Sequence, residues 1–141
     1  MTKLFSLFIF SILGFSVCFA RNHADFTLTA GMKISVQCVE DGKVVHTAMS
    51  ILKNDLCDVF SSDVAITSGT DADIIASTLT AGMSDNYRGV DVSPLKGHRQ
   101  AFVVAVDDEG KLVVVGSDRY GTAYGLMEVS RLIGVSPWVW W

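Results

Sequence analysis

A chain of 141 residues with 15 acidic and 11 basic side chains has a formal net charge of −4, and 50% of its residues are hydrophobic. That length suits a single domain with a modest core. A mildly acidic balance without clustered Lys and Arg excludes nucleic acid as the partner, because binding to phosphates needs a basic face.

The first twenty residues, MTKLFSLFIFSILGFSVCFA, carry one lysine, an apolar run from Leu4 to Phe15, and Cys18 and Ala20 as small residues before a cleavage point. They read as a signal peptide over residues 1–20. The run is shorter than the roughly 20 apolar residues that span a bilayer, so export to the periplasm or medium is expected, with no membrane attachment after cleavage. All 15 acids follow Ala20 and only Lys3 among the bases precedes it, so the mature part, 21–141, is one unit more negative than the whole.

Phe26 and Leu28 alternate with Thr27 and Thr29, and Ile34, Val36 and Cys38 alternate with Lys33, Ser35 and Gln37. A period of two predicts two strands, with a turn at Ala30-Gly31. From about Lys43 to Phe60 the period lengthens, and Val45, Met49, Leu52, Leu56 and Val59 fall on one face of a helix. Short strands are predicted at 64–67 and 73–77, separated by the turn residues Ser68, Gly69, Thr70 and Asp71. The stretch 80–99, with three glycines and Pro94, predicts a loop with one helical turn.

The clearest hairpin follows: 101–106, the turn Asp107-Asp108-Glu109-Gly110, then 111–116. Both arms are apolar at nearly every position, which predicts cover on both faces. A second helix, from about Arg119 to Ile133, presents Ala123, Leu126, Met127, Ser130 and Ile133 on one side. The sum is an α/β domain (an α+β two-layer arrangement), with six short strands in a small mixed sheet and two helices packed on one face. The chain offers no third helix for the other face, so cover from outside it is expected there.

Chemistry is sparse. Gly116 to Gly125 stands between a strand and a helix, where phosphate loops stand, yet Thr122 rather than Lys follows Gly121, and Gly121 with Gly125 has the wrong spacing for a dinucleotide fingerprint. The plainer reading makes Ser117 or Asp118 an acceptor for the helix's unpaired amides, with Gly121 and Gly125 allowing close helix–sheet approach. An anion site is the alternative. His23, His46 and His98 are far apart and lack ligand spacing, so no metal and no cofactor are predicted. No Ser or Cys sits in a nucleophile elbow, and no carboxylate pair can be nominated for catalysis. Cys38 and Cys57 are disulfide candidates in an exported protein, the alternative being two buried thiols.

Three tryptophans, Trp138, Trp140 and Trp141, crowd the last four positions. Each could bury about 150–250 Å², so leaving them in water forgoes several kcal/mol at roughly 25 cal/mol per Å². They predict a covering partner surface, the alternatives being that they tuck back onto their own sheet or, in a short carbohydrate-binding module, form a stacking platform for sugar rings.

The motifs DVSPLKG at 91–97, GSDRYGTAYG at 116–125 and IGVSPWVWW at 133–141 together resemble the N-terminal domain of family 115 glycoside hydrolases, exported α-glucuronidases that remove glucuronic acid or its 4-O-methyl ether from xylan side chains. The family usually has a basic residue where Tyr120 stands and an aromatic one where Val139 stands. The resemblance implies that the tryptophan segment leads into a catalytic barrel carrying the acid and base carboxylates of an inverting hydrolysis. The 141 residues would then be a signal peptide and an accessory domain over 21–141 that braces the missing barrel. The chain by itself would have no catalytic residue and would reach xylan-type polysaccharide only through that barrel. Ser117, Asp118, Arg119, Trp138, Trp140 and Trp141 are the candidates for substrate or domain-interface contact.

Overall fold

The computed structural model describes residues 25–38, 42–69 and 71–136; the signal peptide expected over 1–20, His23 and the three tryptophans lie outside these. In chain order the elements are β1 (Lys33–Cys38), α1 (Lys43–Phe60), β2 (Asp63–Thr67), β3 (Ile74–Thr78), β4 (Asn86–Tyr87), β5 (Val90–Asp91), a 3₁₀ turn (Ser93–Leu95), β6 (Phe102–Val106), β7 (Leu112–Gly116) and α2 (Arg119–Leu132). Five strands form one mixed sheet in the order β2-β1-β3-β7-β6, in which only β6 runs antiparallel to its neighbour.

The predicted mixed sheet with two helices is therefore what forms. Val45, Ala48, Met49, Leu52 and Leu56 of α1 and Ala123, Leu126 and Val129 of α2 bury against Ile34, Val36, Val64, Ile74, Ala76 and Val114. The helices also pack on each other, so they share one face of the sheet. Val59 departs from the expected stripe: it is 44% exposed, and in the last turn of α1 its neighbour Phe60 packs against the core instead.

One expected strand and one candidate disulfide are absent among the described residues, for topological reasons. No strand forms at 26–29. Phe26 and Leu28 do half-bury against the core, but β1 is paired on both edges, by β2 and β3, so no edge is left for a preceding partner. Nor does a disulfide join Cys38 and Cys57. Cys38 ends β1, whereas Cys57 lies near the end of the returning helix, about 20 Å along its axis from Lys43 at 1.5 Å per residue. The hydrogen bond from Gly31 N–H to the Phe60 carbonyl, 2.8 Å, ties that end of α1 to the start of β1. The two sulfurs thus occupy opposite ends of the crossover.

Over β7 and β6 the second face of the sheet is covered by the chain itself. Residues 80–99, expected as a loop with one helical turn, fold back as a tight hairpin, β4–β5, followed by the 3₁₀ turn. Val90, Val92 and Leu95 bury against Val113 and Val115 of β7, with Tyr87, Val103 and Ala105 packed around them. Arg88 and Gly89 between the two short strands have φ of 53° and 83°, the left-handed pair that a tight two-residue hairpin requires. The double-sided apolar pattern of β7 was thus a correct sign of burial, but its cover is local polypeptide and not another domain.

Candidate functional site

The carboxyl ends of β3 and β7 meet the start of α2, and the Ser117–Arg119 loop lies there. Ser117 donates its amide to the Ala101 carbonyl (2.8 Å), while its hydroxyl accepts from Ala101 N–H (3.0 Å), closing a ring between the loop and β6. Asp118 is the N-cap of α2. Its Oδ1 accepts from Tyr120 N–H (3.0 Å) and Gly121 N–H (2.9 Å), and its Oδ2 from Gln100 N–H (2.9 Å). The amides of Gly121 and Gln100 foremost hold this carboxyl below the usual aspartate range. A carboxylate so engaged caps a helix and supplies the negative charge that an anion would otherwise bring to the helix start. Arg119 is exposed.

Behind the cap, the Thr122 hydroxyl sits 2.7 Å from that of Thr78 and donates to the carbonyls of Ser77 (3.1 Å) and Asp118 (3.2 Å) in alternative arrangements. The glycines make this contact feasible. A Cβ on Gly116 would overlap the Thr122 amide, one on Gly121 would overlap the Ala101 carbonyl, and one on Gly125 would stand 2.5 Å from Val114 Cγ1. The close helix–sheet approach read from Gly121 and Gly125 is therefore present.

A second polar cluster was not legible in the sequence. Arg88 donates from Nε to Asp107 Oδ2 and from Nη2 to Glu109 Oε2, each at 2.7 Å, while Asp107 Oδ1 accepts from the amides of Glu109 (2.9 Å) and Lys111 (2.8 Å). Burial, the largest single effect on Asp107, favours its protonated form. The Lys111 amide, the Arg88 guanidinium and the Glu109 amide together outweigh it and leave the pKa lowered. These bonds fasten the β4–β5 hairpin to the β6–β7 turn.

A third feature is apolar. Ile51, Phe102, Tyr124, Met127 and Val135 line a cleft of about 460 Å³, with Asp55, Glu128, Ser130, Arg131 and Ser136 at its polar margin. Glu128 and Arg131 pair with each other at 2.6 and 2.7 Å. Among the described residues no cluster of His, Cys, Asp and Glu could hold a metal ion, and no helix is long and apolar enough to cross a membrane. The structure brings Ser117 and Asp118 together with Gln100 and Ala101, and does not place them with the apolar cleft as one site.

No family model and no curated protein matches the chain. Solved structures do. Over 83% of this chain, at 44% identity and a TM-score of 0.75, it is similar to a family 115 4-O-methyl-α-glucuronidase with specificity for decorated arabinogalactans. A family 138 enzyme targeting pectin rhamnogalacturonan II matches 72% of the chain at 18% identity and a TM-score of 0.52, which shows a shared fold alone. The class that the fold defines is an α/β unit with a five-stranded mixed sheet, and it matches a part of each of these two enzymes. Within that class the resemblance to family 115 glycoside hydrolases stands, and it is a resemblance to a part: the chain spans 15% of the length of that glucuronidase. Nothing in the comparisons favours a short carbohydrate-binding module.

Proposed function

We propose that this chain is the N-terminal accessory part of an exported glycoside hydrolase that removes glucuronic acid or its 4-O-methyl ether from a decorated plant-wall polysaccharide such as xylan or arabinogalactan. The observation that carries this is 44% identity, extended over 83% of the chain, to an enzyme described with that activity. The role assigned to these residues is mechanical: they brace a catalytic remainder that supplies the acid and base carboxylates. Three things support a bracing role. Asp118 is committed to backbone amides, Asp107 to Arg88 and two amides, and Glu128 to Arg131, whereas general acid–base work needs a carboxyl within reach of substrate. Residues 1–20 direct export in this reading, and the tryptophans at 138, 140 and 141 belong to the junction with the remainder.

The test is direct. The 141-residue chain, incubated with glucuronoxylan and with glucuronidated arabinogalactan, should release no glucuronic acid, while the product of the complete reading frame should release it from at least one of them. Turnover by the 141-residue chain that vanished on mutating one of its own acids would refute the bracing role.

A further inference from the structure

The side of α2 turned away from the sheet is aromatic. Tyr120 and Tyr124, four residues apart and so on one side of the helix, are 50% and 47% exposed, and Phe102 of β6 is 37% exposed. Phe102 lies across Gly125, its Cβ 3.4 Å from where a Cβ on that glycine would stand, so ring and helix form one continuous surface running into the apolar cleft. Ser130, 5% exposed, lines the cleft, and its hydroxyl has no hydrogen-bond partner. Alongside runs β6, FVVAV, a sheet-edge strand with no charge and no proline to blunt it. Apolar surface gathered in this way marks an interaction site.

We infer that this face is an intramolecular interface, and that it seats the polypeptide continuing past Ser136 in a longer enzyme. The inference rests on the reading of the chain as part of a glycoside hydrolase, and it names the surface through which the bracing acts. Two observations choose the occupant. The chain spans 15% of the length of its family 115 counterpart, so most of such an enzyme lies outside it. Val135 and Ser136, the last described residues, are themselves wall of the cleft. An acidic sugar fits less well, because Arg131 at the margin is already engaged by Glu128.

The experiment compares nitration of tyrosines by tetranitromethane, read by peptide mass spectrometry, in the 141-residue chain and in the product of the complete reading frame. Tyr87, half-buried under the second face, is the internal reference. In the 141-residue chain Tyr120 and Tyr124 should react ahead of Tyr87; in the longer polypeptide that order should reverse. Tyr124→Asp should leave the melting temperature of the 141-residue chain unchanged and make the longer polypeptide easier to cleave after Ser136.

A longer product that releases glucuronic acid yet keeps Tyr120 and Tyr124 the most reactive would overturn the interface while sparing the enzymatic reading. A frame ending at codon 141 would remove the occupant and overturn both. Protection of the tyrosines in the 141-residue chain by added glucuronoxylan, or by raising its concentration with a matching dimer mass, would assign the face to sugar or to a second copy and overturn the proposal.

Discussion

At the scale of single residues, the glycines around α2 are spacers whose absent side chains set the helix–sheet distance. Gly121→Ala drives a methyl group into the Ala101 carbonyl, and backbone on both sides leaves nothing flexible to yield. The expected loss is about 3 kcal/mol, at the upper end of ordinary overpacking, read as a lower urea midpoint. Gly82→Ala provides the contrast: a Cβ there meets nothing within 4 Å, although its φ of 87° still carries strain. Asp107 is the other residue whose role is confined to contacts. Its side chain is 1% exposed and faces Arg88. Asp107→Ala leaves the guanidinium and two amides short of an acceptor, and should cost roughly 3 kcal/mol, whereas Glu109→Ala, at the exposed end of the same fork, should cost less than about 1 kcal/mol.

At the scale of elements, α2 begins where Asp118 caps it, and the amides of Tyr120 and Gly121 depend on that one carboxylate. Asp118→Ala should fray the first turn and detach Gln100, lowering the melting temperature and speeding amide exchange at residues 120–122, while Asp118→Asn retains part of the cap. The segment from Leu79 to Ala101 behaves as an element too, though it has little regular structure. Leu95 is its deepest anchor along with Val92. Leu95→Ala should cost about 2–5 kcal/mol, and hydrogen exchange should quicken at residues 86–95 more than in α1, since the hairpin loses its hold on β7 while the helix layer keeps its own core. The strand expected at 26–29 shows the limit of reasoning within one element: its alternation was real, but a strand needs an open neighbour edge, and that is a property of the sheet.

At the scale of the whole molecule, the pH response follows from carboxylates that prefer to be ionised when folded. Asp73, held by the Ser35 hydroxyl and amide and by Lys111 against the opposing effect of burial, is shifted down from the ordinary 3.8, as are Asp107 and Asp118. Groups with lowered pKa bind protons more readily when unfolded, so their stabilisation is complete above 3.8 and drains away as pH falls through the lower folded values. The unfolding midpoint should therefore be flat from neutral pH to mildly acidic pH and decline below it, and Asp107→Asn should make that decline shallower. Acid titration followed by circular dichroism checks both.

Both helices, the hairpin at 101–116 and the close-approach glycines were legible in the sequence because each depends on neighbours a few positions away: a 3.6-residue stripe, a turn of Asp and Gly, a missing Cβ. The motifs at 91–97 and 116–125 likewise carried the likeness to family 115 glycoside hydrolases. Strand order, the separation of Cys38 from Cys57, the meeting of Arg88 with Asp107 and the folding of 79–101 over the second face were decided only in three dimensions. Each joins residues distant along the chain, whose encounter depends on which sheet edges and apolar faces are still open once the local elements have formed.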